Sequence, residues 1–159
     1  MNWSTPSDAV TSMLHAIDRL DWQAVRRSFA DRVTVDYSSL NGSPGAEVGA
    51  DDLIAGWKAL LPGFDATQHL LGPVVVSRSH DATIAETHVR GYHYIAGADG
   101  GEVWMVAGHY AARLIEDAGA WAIASLTLTV FYQQGNLALP DLARTRAASA
   151  TSPRAAQRH

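Results

Sequence analysis

Asp18, Tyr37, His69 and His93 are the residues of this chain whose side chains could together move protons on a small organic molecule. A carboxylate orients and charge-balances a base, a phenol donates to a developing oxyanion, and imidazoles exchange protons near neutral pH. Each alone is ordinary, because a histidine on a strand is more often structural than catalytic. Asp18 is sharper: it interrupts the apolar stripe of a helix beside Met13 and Ile17. A carboxylate near a buried face needs a partner, and a histidine is the natural one. An acid–base enzyme is therefore the leading expectation.

The elements that must position these residues can be read from spacing. Val10, Met13, Leu14, Ile17 and Leu20 recur at helical intervals, with Ser4 or Ser7 as the cap. Asp21 reads as the cap of a second short helix, with Trp22, Val25 and Phe29 inward and Arg26 and Arg27 in water. Val33–Ser39 alternates as a strand, residues 41–45 form a loop, and Ala50–Leu61 resumes helical spacing until Pro62-Gly63. Four strands follow, Thr67–Ser77, Ala82–Ala96, Glu102–Glu116 and Trp121–Tyr132, joined by connections short enough to predict an antiparallel meander. Helices first and long strands afterwards give an α+β class, with helices against one face of a curved sheet and an open-mouthed cone.

Strand parity selects the cavity walls. His93 shares a face with Gly91, Val89, Thr87 and Ala85, small and apolar enough to line a cavity; Glu86, His88, Arg90, Tyr92 and Tyr94 take the other face. On the next strand His109 falls with Met105, Ala107 and Ala111, again a face suited to a cavity. Trp57, Met105, His109 and Phe131 are the expected substrate-contacting residues, and Trp104, Tyr92 and Tyr94 are expected on an outer face covered by another subunit.

Composition bounds the rest. The 159 residues suit one domain, here 1–140, and beyond Pro140 the chain turns to Ala, Arg, Ser and Thr, so 141–159 is expected to be a disordered tail. Apolar residues at 47% against 18% charged imply a large pocket, an oligomer interface or both. The net charge of −4, with no basic stripe, argues against nucleic acid as a partner. The absence of cysteine removes disulfides and thiolate nucleophiles. No apolar run approaches the roughly 18 residues of a membrane span, and a soluble cytoplasmic homo-oligomer, dimer or trimer, is expected.

The local phrases resemble those of a family. Asp18-Arg19-Leu20-Asp21-Trp22, Val35-Asp36-Tyr37-Ser38-Ser39-Leu40, Thr67-Gln68-His69 and His93 after Arg90-Gly91-Tyr92 resemble scytalone dehydratase and, more loosely, the nuclear-transport-factor-2-like group that includes SnoaL-like polyketide cyclases. The resemblance runs in order from about Asp8 to Tyr132. It implies a cone-shaped, cystatin-like α+β barrel with a buried pocket and a cofactor-free dehydration of a cyclic hydroxy-ketone. In that scheme Asp18 matches the catalytic aspartate and orients His93, Tyr37 holds a water or the carbonyl oxygen, and His69 moves the proton. Ile17 stands where the family has a second tyrosine, so carbonyl activation by a tyrosine pair is not expected. Tyr110-Ala111-Ala112-Arg113 lacks the family's serine and asparagine. Related chemistry on a different substrate follows: dehydration, isomerisation or cyclisation through an enolate.

Two other classes compete. The fold also hosts non-catalytic binding or scaffold proteins, in which the histidines are hydrogen-bonded wall residues. A metal site from Asp18, His69, His93 and His109 is the third, disfavoured by the lack of compact ligand spacing. An epoxide hydrolase, which wants an Asp-Arg-Asp arrangement in the pocket, is a weaker variant of the first reading.

Overall fold

The computed structural model describes residues 3–150 and Arg154. Helix α1 (Pro6–Asp18) starts where the Thr5 hydroxyl accepts the Asp8 N–H at 3.1 Å, with proline in the first turn; Thr5, and not Ser4 or Ser7, is the cap. Its buried face carries Val10, Met13, Leu14 and Ile17. The chain leaves α1 through Leu20 in the left-handed region (φ 55°), and the Asp21 carboxylate caps α2 (Trp22–Arg27) by accepting from the Ala24 N–H. Arg26 is not simply solvated: it pairs with Asp31 and Asp51. Phe29 is not on α2 but opens strand β1 (Phe29–Asp36), which is longer at its start than the alternation suggested, and its ring packs against Trp57 at 5.8 Å.

The strand expected through Ser39 ends at Asp36; after Tyr37 the backbone makes one helical turn, α3 (Ser38–Asn41), and beyond the expected loop an edge strand β2 (Ala46–Gly49) forms where no element was expected. Helix α4 (Ala50–Lys58) and a 3₁₀ turn (Leu61–Gly63) complete the helical layer. The strand expected over Thr67–Ser77 is split around Gly72-Pro73 into β3 (Ala66–Leu71) and β4 (Val75–Arg78), both antiparallel to β5 (Thr83–Tyr94). Strands β6 (Val103–Asp117) and β7 (Ala120–Gly135) extend the meander.

The sheet order is β2-β1-β7-β6-β5-β3, with β4 also on β5; β1 runs parallel to β7 and the other pairs are antiparallel. The fold is α+β as expected, with a curved, unclosed sheet. Pairing of β6 with β7 shifts between Ala107 and Gly108 and between Arg113 and Leu114, and such bulges bend a sheet. Gly108 is required there, since a Cβ would lie 2.4 Å from the Thr129 carbonyl oxygen. The concave side holds the core, including Met13, Leu14, Phe64, Ile123 and Leu126, all essentially without solvent contact.

Residues 141–149, expected to be disordered, belong instead to helix α5 (Leu139–Ser149). Leu139 and Ala143 are fully buried, and Arg146 forms a 2.6 Å ion pair with Asp65. The low apolar content hid this helix, whose fully buried residues are only Leu139 and Ala143. Apart from Ala150 and Arg154, the rest of the expected tail lies outside the described residues.

Candidate active site

Tyr37, His69 and His93 line one interior cavity, and Asp18 stands behind His69 and not on the wall itself. Asp18 sits at the C-terminal end of α1, Tyr37 follows β1, His69 lies on β3, and His93 lies on β5 in register with Thr67. The cavity, about 100 Å³, is walled mainly by apolar groups, among them Leu14, Ile17, Leu61, Val106 and Leu128, with Tyr37, His69, His93 and Tyr110 as its polar lining. Trp57 contributes to the wall as expected. A wider cleft of about 720 Å³ shares Tyr37, Leu40, Trp57, Leu60 and Trp104 with it and reaches outward to Pro140, Asp141 and Arg144 on α5.

Asp18 is bound at both oxygens. Oδ1 lies 2.7 Å from His69 Nδ1 and accepts the Thr67 hydroxyl at 3.0 Å, while Oδ2 accepts the His69 backbone N–H at 2.8 Å. Alternation along β3 puts Thr67 and His69 on the same face, so one carboxylate reaches both. Burial opposes ionisation of Asp18, but the hydrogen bond and charge of His69, with the backbone and Thr67 bonds, outweigh it and hold the carboxyl below its ordinary range. With an ionised acceptor, Nδ1 carries the ring proton, leaving Nε2 as the basic nitrogen at the cavity wall. The structure thus pairs Asp18 with His69 and not with His93, correcting the role that the family resemblance implied.

His93 is built differently. Its ring packs against both Phe64 and Trp104, with centroids 4.9 and 4.4 Å away, and Nδ1–H donates to the Trp104 carbonyl at 3.3 Å. Burial and the charge of nearby His69 push its pKa down to about 3, so it is neutral. A neutral imidazole donating through Nδ1 presents Nε2 as an acceptor only. The two rings meet edge to face at 5.8 Å across Gly91, whose missing side chain makes the room: a Cβ there would lie 3.3 Å from His69 Nε2 and 3.4 Å from His93 Cε1.

The Tyr37 hydroxyl lies 3.4 Å from the Tyr110 hydroxyl. Desolvation pushes both phenols above their ordinary pKa, Tyr37 the further of the two, so both are protonated donors. A tyrosine pair is therefore present although Ile17 occupies the position expected for its second member. β6 supplies Tyr110 instead.

Three expected contacts fall elsewhere. On β6 the inward set is Trp104, Val106, Tyr110 and Ala112, so His109 and Met105 face away from the cavity; His109 meets Glu86 and the ring of His88 on the opposite side. Phe131 is 59% exposed and packs against His88 on that same outer side. Trp104, expected outside, is buried in the cavity wall. Because Met105 and Ala107 are buried as well, β6 is apolar on both faces, and parity could not be read from composition. His109 lies across the sheet from His69 and His93, so the proposed set of four metal ligands does not assemble. Among the described residues no group of three or more His, Asp or Glu is placed to hold a metal ion.

No site role was expected for Tyr110, Thr67 or Arg154, and Gly91 was expected only as part of a cavity wall. Arg154 donates from Nη2 to the Asp18 carbonyl at 3.0 Å and from Nη1 to the Thr67 hydroxyl at 3.3 Å. Thr67 was findable, being two residues from His69 on one strand face. Nothing local marks Arg154.

Residues 7–127 match the SnoaL-like domain. Among solved structures, the Kfla4162 protein from Kribbella flavida is 28% identical, with a TM-score of 0.76 over 86% of this chain and 93% of that one. A Novosphingobium aromaticivorans protein provisionally named a scytalone dehydratase superposes with a TM-score of 0.65 at 15% identity, over 80% and 83% of the two chains. A hexachlorocyclohexane dehydrochlorinase gives 0.65 at 17% identity, over 81% and 84%. At those identities the last two likenesses are of fold. No curated protein sequence matches the chain.

Proposed function

Since the chain belongs to the SnoaL-like domain family, within the nuclear-transport-factor-2-like fold, we propose that it is a cofactor-independent acid–base enzyme that forms an enolate from a small cyclic, largely apolar hydroxy-ketone. The observation that carries this reading is the hydrogen-bonded Asp18–His69 couple, whose imidazole opens onto the same apolar cavity as two protonated phenols.

His69 Nε2 removes the proton beside the substrate carbonyl, and the C–H electron pair becomes the enolate. Asp18 stabilises the imidazolium so formed and fixes its tautomer. Tyr37 and Tyr110 donate to the carbonyl oxygen as it gains negative charge, in a cavity where such bonds are stronger than in water. Where the substrate carries a hydroxyl one carbon further along, the enolate re-forms the carbonyl, the carbon–oxygen bond breaks, and the hydroxyl leaves as water with the proton from His69. His93, an acceptor through Nε2, positions that hydroxyl by taking its hydrogen bond. Reprotonation at another carbon gives an isomerase, and attack of the enolate carbon on a second carbonyl gives a cyclase. The first step is common to all three.

Fold neighbours named for dehydratase and dehydrochlorinase chemistry support the lyase reading, since both reactions remove a proton and a leaving group from adjacent carbons. The test is a panel of cyclic hydroxy-ketones in D₂O, followed by NMR for exchange of the proton beside the carbonyl and for the unsaturated product. Exchange that disappears in Asp18→Asn and His69→Ala supports the enzyme. Ligands that bind tightly with neither exchange nor product would leave a binding protein as the better reading.

A further inference from the structure

We propose that Arg154 is a positioning residue of the Asp18–His69 couple, supplied by a segment that lies beyond the part of the chain matching the SnoaL-like domain. The inference concerns the same site and rests on the acid–base reading only for its kinetic consequence.

The geometry is specific. A threonine hydroxyl has one proton and accepts elsewhere. Because the Thr67 oxygen accepts from Arg154 Nη1, its proton is directed to Asp18 Oδ1, the oxygen that also receives His69 Nδ1–H. The second guanidinium nitrogen holds the Asp18 main-chain carbonyl at the end of α1. One planar cation thus ties the last residue of α1 to the third-strand residue that orients its carboxylate. Arginine suits this, since its fixed fork reaches two acceptors at once.

Its charge acts in the same direction. Burial weakens the protonated guanidinium, while the charges of Asp18 and Asp65 support it. The groups facing Asp18 are His69 from β3, Tyr110 from β6 and Arg154 from the C-terminal segment, and His93 on β5 also feels its charge. Of these, Arg154 carries a guanidinium, which stays protonated through the neutral range. Its link to the carboxylate runs through the hydrogen bonds to Thr67 and the Asp18 carbonyl. Helix α5 docks beside the same strand, where Arg146 is bound to Asp65, which precedes β3.

The experiment uses the full chain as wild type, Arg154→Gln, Arg154→Lys, Thr67→Val and the double variant Thr67→Val/Arg154→Gln. Carbon-13 NMR follows the Asp18 carboxyl with pH, and steady-state kinetics follow proton exchange on a ketone substrate. In Arg154→Gln the carboxyl is expected to titrate about half a pH unit higher, and kcat to fall about 5-fold with KM within about 2-fold. Arg154→Lys restores the titration but not the full kcat, because lysine keeps the charge without the fork. The double variant is expected to lose little more than Thr67→Val alone. An Asp18 titration unchanged in Arg154→Gln, or effects of the two single variants that simply add, overturns the proposal. The titration needs no substrate, so a wild-type protein inactive on every ketone sinks the enzyme reading while the NMR result still decides the role of Arg154.

Discussion

His69 Nδ1 lies 2.7 Å from Asp18 Oδ1, and the same histidine's backbone N–H donates to Asp18 Oδ2 at 2.8 Å. One residue therefore grips both oxygens of one carboxylate, fixing its plane relative to the imidazole. A base held this way needs no search for its orienting partner during catalysis.

Removing either member should abolish proton abstraction without unfolding the chain. Asp18→Asn keeps the shape but lets the His69 tautomer change, and His69→Ala removes the base; each is expected to lower kcat by about 10² to 10⁴. Deuterium exchange beside the carbonyl, read by NMR, measures it. Wild-type exchange in either variant would contradict the assignment.

The phenol pair should act as a unit. Tyr37→Phe and Tyr110→Phe are each expected to cost about 10- to 100-fold in kcat, and the double variant less than the product of the two, since each hydroxyl helps to orient the other. A Tyr110→Phe protein as active as wild type would return Tyr110 to the role of a wall residue.

Acid should destabilise the protein through His93 before it does so through Asp18. The folded pKa of His93 is depressed to about 3, against about 6.5 for a free histidine, so the unfolded chain takes up a proton that the native ring refuses. That part of the stability is complete above pH ~6.5 and is lost as pH falls towards 3. The Asp18 pKa is also lowered on folding, so its contribution is present above the ordinary carboxylate range and goes only as pH falls through the native value. Thermal melts from pH 7 to 4 should show a shallower decline for His93→Gln than for wild type. Parallel curves would count against a neutral, buried His93.

Gly91→Ala tests the spacing of the histidines. Its Cβ would meet His69 Cδ2 at 3.2 Å and Nε2 at 3.3 Å, contacts that a shift of a few tenths of an ångström relieves. Stability should change by about 1 kcal/mol or less, whereas kcat should fall about 10-fold or more, because small displacements of a base are costly.

Gly63→Ala tests the docking of α5. A Cβ at Gly63 would lie 1.8 Å from the Ala143 carbonyl oxygen, which no rotamer change relieves. A loss of about 2 kcal/mol or more in denaturant unfolding is expected, with amide exchange accelerated across Leu139–Ser149.

How much was legible varies by element. Helix α1 and strand β5 were readable because each buries one face only, so the apolar period reports direction: Met13 and Ile17 inward on one, Val89, Gly91 and His93 inward on the other. Strand β6 was misread because both faces are apolar. A one-residue error in its parity exchanged Tyr110 for His109 and Trp104 for Met105. Helix α5 was missed because its docking depends on Gly63 and Asp65, far away in the chain.

The sequence by itself determined the chemical inventory: a carboxylate in an apolar helical stripe, two histidines, a tyrosine after the first strand, and an α+β order of elements. Those follow from residue type and local period, which short-range sterics and burial enforce. Only the tertiary structure decided who meets whom. Asp18 pairs with His69 because β3 crosses the end of α1, Tyr110 joins Tyr37 because β6 presents its even-numbered side to the cavity, and Arg154 reaches both Asp18 and Thr67 from the far end of the chain. Each of these contacts joins segments distant in sequence, and hydrogen bonding across such distances is set by the packing of whole elements, which no local pattern encodes.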